Sequence, residues 1–324
     1  MLEKQNETGC SPLVGIGLPV RNGAAYLREA LESLIAQTHK NIELVISDNV
    51  SGDNTQKICE EYARKDPRIR YIRQKESLAS FTHFDFVRSK AGGDYFMWAC
   101  HDDLWDPRFI EKCLAKYKEA SSANSGQDPI VVFPNFCTFD DSGKVMKYNQ
   151  KKYFPFSLTL YKRIRTYLLF KLTYGKDEIR YGLWKRGAPA DKLLASVDRD
   201  NVYVLKALLT GYFAAVPETL FFKRIPAQPP VDVSKRRTSL QLLTALPHDY
   251  PFETPDDWVR TRKRGLSFKT AAKEFVANRI QAAKYSYLFW LSIFQSPALS
   301  GNEKAKLFFW NLYSYLRSFW SGHV

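Results

Sequence analysis

Along the first half of the chain, short apolar runs alternate with stretches in which apolar residues recur every three or four positions. A bounded apolar run suits a buried strand, and the wider spacing suits one face of a helix. Val14–Val20 reads as the first strand. Ala24–Gln37 reads as a helix with Leu27, Ala30, Leu31, Leu34 and Ile35 on one side, with Asn22 placed to cap it. Glu43–Ser47 is the next strand, followed by DNVSGD and a helix capped by Asp53, carrying Ile58, Cys59 and Tyr62 and stopped at Asp66-Pro67. Ile69–Arg73, Tyr95–Ala99 and Ile130–Phe133 are further strands. Phe81–Ser89 reads as a helix, and a second follows Asp106-Pro107 with proline at its first position. Asp140-Asp141-Ser142-Gly143 reads as a hairpin turn.

Strands alternating with helices predict an α/β fold with a doubly wound, mainly parallel sheet. Such sheets bind ligands beyond the carboxyl ends of their strands. Three polar clusters stand at those ends: Pro19-Val20-Arg21-Asn22, Ser47-Asp48-Asn49 and His101-Asp102-Asp103. No GxGxxG opens the first helix and no GxxxxGK[ST] is present, which argues against a dinucleotide oxidoreductase and a P-loop NTPase.

Composition narrows the classes further. With 324 residues, 45% hydrophobic and 25% charged, the chain is expected to fold rather than to be disordered or fibrous. Its five cysteines are odd in number and lack metal-site spacing, so a reducing cytoplasm is expected. MLEKQNETGCSP has no apolar signal-peptide core, and no run of apolar residues is long enough for a transmembrane helix. The net charge of +14 points to an anionic partner. More than half of it lies in Thr261–Val324, where ten Lys and Arg stand against two Glu among many aromatic residues. Pro226, Pro229 and Pro230 mark a linker. The expected organisation is a domain over 11–225, a linker over 226–260 and a basic, aromatic-rich helical region over 261–324.

Adjacent carboxylates at a strand end suit a hard divalent cation, so Asp102 and Asp103 are metal-site candidates. The alternative is that one of them caps a turn or pairs with Arg108. Asp48 could accept a hydrogen bond from a nucleobase or ribose, or close an Asx-turn. Arg21 could offset a diphosphate, or be a surface charge.

The run SPLVGIGLPVRNGAAYLREALESLIAQTHKNIELVISDNVSGDNT, with YFMWACHDDLWDP further on, resembles family-2 glycosyltransferases of GT-A fold. The resemblance covers Leu13 to Tyr117 well and continues more weakly to Ile225. It implies a nucleotide-sugar donor, with Asp48 on the nucleobase and Pro19, Arg21 and Asn22 lining the nucleotide pocket. It also implies Mg2+ or Mn2+ on the diphosphate at the acidic motif, through Asp102 and its neighbour Asp103. Cys100 stands where the motif's first Asp is usual, Asn49 where a second Asp is common, and His83 where an Asn is common. His83 could face the donor or serve as a hydrogen-bonded structural residue.

SVDRDNVYVLKALLTGYFAAVPETLFFKR resembles the family's base-bearing helix followed by a glycine and a strand. Counting back from Gly211, Asp200 falls on the base, with Asp198 nearby as a cap candidate. A base acting directly on the acceptor hydroxyl gives a single, inverting displacement. IRYGLWKRGA resembles the stretch before that helix, where Trp184 could stack on a sugar or belong to the core.

The basic tail could pack on the domain, bind an anionic membrane surface, or bind nucleic acid. No nucleic-acid motif is present, and nucleic acid is not expected as a partner. The expected function is transfer of a sugar to a saccharide or lipid-linked acceptor in polysaccharide or glycan synthesis, at the cytoplasmic face of a membrane. A non-catalytic nucleotide-sugar binder and a basic interaction protein are the alternatives.

Overall fold

The computed structural model describes residues 11–149, 159–169, 177–187, 200–225, 283 and 286–320. All seven residues of Val14–Val20 are buried, so this run is β1, an inner strand with both faces covered. It lies between β2 (Ile42–Asp48) and β4 (Tyr95–Trp98), parallel to both, and β3 (Ile69–Arg73) extends the parallel block beyond β2. Three helices make the crossovers: α1 (Leu27–Ile35), α2 (Thr55–Lys65) and α3 (Ser80–Lys90). Register pairs Val20 with Asp48 and Asp48 with Arg73, which brings the carboxyl ends of β1, β2 and β3 level.

The chain continues through β5 (Leu104–Trp105), α4 (Phe109–Ala123), the hairpin β6 (Val131–Phe139) and β7 (Val145–Asn149), and α5 (Leu160–Leu169). A 3-10 turn at Asp177–Tyr181, β8 (Leu183–Lys185), α6 (Asp200–Thr210) and β9 (Phe213–Arg224) follow. The sheet runs β3-β2-β1-β4-β8-β6-β9-β5, with β7 on β6. Six strands share one direction, and β5, β7 and β8 run against them. This is the mainly parallel, doubly wound α/β sheet expected from the alternation of elements.

Alternate residues on the strands feed separate cores: Leu44, Ile46 and Met97 belong to one, Val45, Phe96 and Trp98 to the other. On β1 the second face carries Gly15 and Gly17. A Cβ on Gly15 would collide with the Gly92 carbonyl, so glycine here lets the end of α3 lie close against the sheet.

Two differences from the sequence reading have local causes. Asn22 does not cap α1, because a turn through Gly23, whose carbonyl accepts from Tyr26 and Leu27 N–H at 3.0 Å, delays the helix to Leu27. Asn22 instead sits at φ 51° and its Oδ1 accepts from Gly52 N–H at 2.9 Å. Trp184 is buried and its indole N–H donates to the Arg180 carbonyl at 2.8 Å, which makes it a core residue rather than a stacking platform.

The carboxyl-terminal helices are α7 (residues 286–295) and α8 (Gly301–Trp320). A reciprocal capping box starts α8. Ser300 N–H donates to Glu303 Oε2 at 2.9 Å, and Glu303 N–H donates to Ser300 Oγ at 3.3 Å. Phe289, Ile293, Leu299 and Leu307 are buried in the same core as Ile164, Tyr167 and Leu168 of α5. Trp310 donates to the Tyr161 hydroxyl at 3.2 Å. One face of these helices is therefore packed on the domain. The linker expected over 226–260 lies outside the described residues.

Candidate functional site

The three polar clusters meet at the carboxyl edge of β1, β2 and β4. At β2 the Asp48 side chain is fully buried and hydrogen-bonded through both oxygens. Oδ2 accepts from Arg73 Nη1 at 2.6 Å and from the Tyr71 hydroxyl at 3.1 Å, and Oδ1 accepts from Ser51 N–H at 2.8 Å. Of the two sequence alternatives, the Asx-type turn is present through Oδ1, while Oδ2 carries an ion pair with Arg73 that the sequence did not suggest. Arg73 and Tyr71 enter the sequence reading only as strand residues, not as site residues. Arg73 closes a strand that was legible, but its role needs the β2–β3 register that pairs it with Asp48.

Pro19 is buried at the end of β1 opposite Ser47, whereas Arg21 is exposed and donates to Ser77 Oγ at 3.1 Å. Asn49 donates to the Leu78 carbonyl at 2.9 Å and accepts from Leu78 N–H at 2.7 Å. That two-way bond needs an amide, which accounts for Asn where an Asp is common. His83 is buried with Nε2 2.8 Å from Ser47 Oγ, and burial lowers its pKa. It is a structural residue beneath the strand end.

Beyond β4, the ligand atoms of Cys100, Asp102 and Asp103 lie within 4.8 Å of one another. Asp103 is buried and its Oδ1 accepts from Arg224 N–H at 2.9 Å. Burial, then the adjacent Asp102 charge, push the Asp103 carboxyl well above the usual carboxylate range. Asp102 is half-buried, and among the described residues its carboxylate accepts no hydrogen bond. The Cys100 thiol donates to the Tyr181 hydroxyl at 3.4 Å, and burial, then the Asp103 and Asp102 charges, push it up. A protonated thiol is a poor ligand for Mg2+. Mg2+ is commonly held by one or two carboxylates plus substrate phosphates, so Asp102 and Asp103 fit such an ion without the thiol. Arg108 pairs with Asp106 at 3.1 Å, so the alternative in which it engages Asp102 or Asp103 is not realised.

A lysine that sequence reasoning passed over completes this end. Lys223 donates to Glu178 at 2.9 Å. Burial alone would lower its pKa, but Glu178, then Asp103, outweigh it and hold the ammonium charged beside the acidic turn. Asp200 is the first residue of α6. Three residues on, Tyr203 packs edge-on against Trp98 of β4 at 5.5 Å and Trp184 of β8 at 5.1 Å. The base-candidate helix is thus seated on the strand that leads into the acidic turn. Asp198 lies outside the described residues.

Residues 16–171 match the family model described as Glycosyl transferase family 2. Over those residues the chain is similar to glycosyl transferase family 2. An uncharacterized glycosyltransferase of Rickettsia typhi is 43% identical over 101 residues, 31% of this chain and 30% of that relative. Glycosyltransferase GlyG of Streptococcus pneumoniae is 29% identical over 132 residues, 41% of this chain and 42% of GlyG. The matched segments therefore span less than half the length of these relatives. A crystal structure of S. aureus TarS 1-349 in complex with UDP-GlcNAc matches with a TM-score of 0.58 at 14% identity, over 94% of this chain and 72% of that one. At that identity the likeness is one of fold, and the fold is GT-A-like.

Proposed function

We propose that this chain transfers a sugar from a nucleoside-diphosphate donor to a saccharide or lipid-linked acceptor, with inversion at the anomeric carbon, in cell-surface polysaccharide or glycan synthesis. The observation that carries the reading is the meeting of Asp48 and the Asp102–Asp103 turn at one edge of a family-2-like sheet. The nucleotide lies along that edge, its base toward Asp48 and its diphosphate toward Asp102, with Pro19, Arg21 and Asn22 along the nucleotide. Asp102 and Asp103 would hold Mg2+ or Mn2+, which would supply Lewis-acid stabilisation of the departing diphosphate. Lys223 adds fixed positive charge beside the same turn. Asp200 takes the acceptor proton as the acceptor oxygen bonds to the anomeric carbon and the bond to the diphosphate breaks. The transferase domain is read over 11–225, followed by the linker and tail.

A panel of nucleotide sugars with Mn2+ tests this. The TarS structure holds UDP-GlcNAc, so UDP sugars form its first arm. The expected result is a rise in thermal midpoint with one donor class, since a ligand of the folded state alone stabilises it, together with release of nucleoside diphosphate. A midpoint rise without release in the presence of varied acceptors would favour a non-catalytic binder. Neither effect with any donor would overturn the assignment.

A specific observation favours a membrane surface as the working location. Of ten exposed large apolar residues among those described, seven lie on α7 and α8. Trp290 stacks on Phe294 at 5.4 Å and meets Phe308 at 6.2 Å, which joins the two helices into one aromatic patch. Lys304 lies 5.8 Å from the Phe294 ring and Lys306 is exposed beside it. Among the described residues no helix is long and apolar enough to cross a membrane. A basic and aromatic face of this kind suits an anionic headgroup layer, here at the cytoplasmic leaflet. The chain is expected to co-sediment with phosphatidylglycerol vesicles and to bind phosphatidylcholine vesicles weakly. The double substitution Phe308→Ser with Phe309→Ser is expected to abolish that binding, and retained binding by the double variant would refute the membrane face.

A further inference from the structure

Arg224 ends β9 with a fully buried side chain. A guanidinium cannot shed its charge there, so its surroundings must neutralise and bond it. Its Nη2 pairs with Glu29 of α1, and Nη1 lies 3.4 Å from Asp141 in the β6–β7 hairpin. The Tyr26 and Phe139 rings lie 4.8 and 4.6 Å from its guanidinium carbon, and the Tyr26 hydroxyl donates to Asp141 at 3.2 Å. Two further bonds reach the acidic turn. Arg224 Nε donates to the Asp102 carbonyl at 3.0 Å, and Arg224 N–H donates to the Asp103 carboxylate at 2.9 Å.

One residue therefore holds both members of the carboxylate pair, the first by its main-chain carbonyl and the second by its side chain. Holding the Asp102 carbonyl inward fixes the backbone of the turn while leaving the Asp102 carboxylate uncommitted. Binding Asp103 through a main-chain N–H turns that carboxylate toward β9. We infer that Arg224 is the positioning residue of the candidate diphosphate and cation site, anchored by Glu29 and Asp141 so that the Asp102–Asp103 turn is held in place with the Asp102 carboxylate left uncommitted. This inference rests on the transferase reading for what the site binds, and on the described geometry for how it is held. A planar fork is required, since a lysine ammonium is a point charge that cannot span Glu29, Asp141 and the Asp102 carbonyl together.

The test uses the full chain, with Mn2+ alone as one probe, followed by electron paramagnetic resonance, and UMP and GMP as the others, followed by calorimetry. Arg224→Lys is expected to weaken Mn2+ binding about tenfold or more, the loss usual when a group that orients a metal ligand is changed. Binding of whichever monophosphate the parent protein takes is expected to stay within about twofold, because Asp48 and Arg73 lie on other strands and additivity holds for separated sites. Glu29→Gln keeps the hydrogen-bonding shape and removes one charge, and is expected to act in the same direction more weakly. It carries the test if Arg224→Lys does not fold. Equal Mn2+ affinity in variant and parent would overturn the inference, as would loss of Mn2+ and nucleotide binding in equal proportion. A parent protein that turns over a nucleotide sugar yet binds no Mn2+ would overturn it too, while leaving the transferase reading standing.

Discussion

Asp200→Asn is expected to lower sugar transfer by about 10²- to 10⁴-fold, the usual contribution of a positioned general base, while donor affinity stays within about twofold. The substitution keeps size and hydrogen-bonding shape but removes proton acceptance. Its loss should therefore fall on the chemical step and leave the nucleotide contacts of β1 and β2 alone. Asp200 opens α6, and that helix is held by buried Val202, Tyr203, Val204 and Leu205, so a change at its first residue leaves most of its packing in place. An Asp at the start of a helix also favours the helix dipole, and losing that costs at most about 1 kcal/mol of stability. A cap role alone would thus show as a small fall in thermal midpoint with near-normal turnover. Parent-like turnover by Asp200→Asn would remove it as the base, and Asp198 would be the next residue to replace.

The elements legible in the sequence are those whose burial is uniform or strictly periodic. Val14–Val20 coincides with β1, whose seven residues are all buried and bounded by turn formers on both sides, whereas Ile69–Arg73 coincides with β3 through the Asp66-Pro67 stop before it, since only Ile69 of that strand is buried. β5 and β8, two and three residues long, carry no pattern that could be told from loop. β6 runs on to Phe139, well past the strand expected to end at Phe133, although Pro134 lies inside it. The pairing with β9 shifts register just there, so the missing N–H falls at an irregularity that proline tolerates.

The same contrast governs the site. Asp48, Asp102 and Asp103 were legible because strand ends in a doubly wound sheet are where polar residues gain meaning. Arg73, Lys223 and Arg224 were not, since each acts on a carboxylate supplied by a different strand or turn. Arg224 lies 121 residues from the Asp103 it bonds. A basic pair closing LFFKR reads as an ordinary strand end until the sheet brings it under the acidic turn. Cys100 is the converse case. In sequence it weakens the metal motif, but in the fold the thiol, pushed up by burial, bonds Tyr181 rather than joining the carboxylate pair proposed for the ion.

Asp102→Asn is expected to reduce turnover by roughly 10²-fold or more, because a cation stabilising the departing diphosphate is worth several kcal/mol and each 1.4 kcal/mol is tenfold in rate. The amide keeps the side chain's shape, and the Asp102 carbonyl still accepts from Arg224, so the turn itself should persist. Raising the Mn2+ concentration should restore part of the activity of Asp102→Asn and none of that of Asp200→Asn, which separates a weakened ion site from a lost base. Asp103→Asn provides the internal contrast. Its amide oxygen can still accept from Arg224 N–H, and the carboxyl it replaces is already held up in pKa by burial, so its loss should be the smaller of the two. Donor affinity measured with and without EDTA reads the same division without turnover: the parent and Asp103→Asn should weaken on chelation, and Asp102→Asn should respond little. A parent protein whose donor affinity and turnover ignore EDTA would leave charge neutralisation at the diphosphate to Lys223, and Lys223→Met would then carry the larger loss.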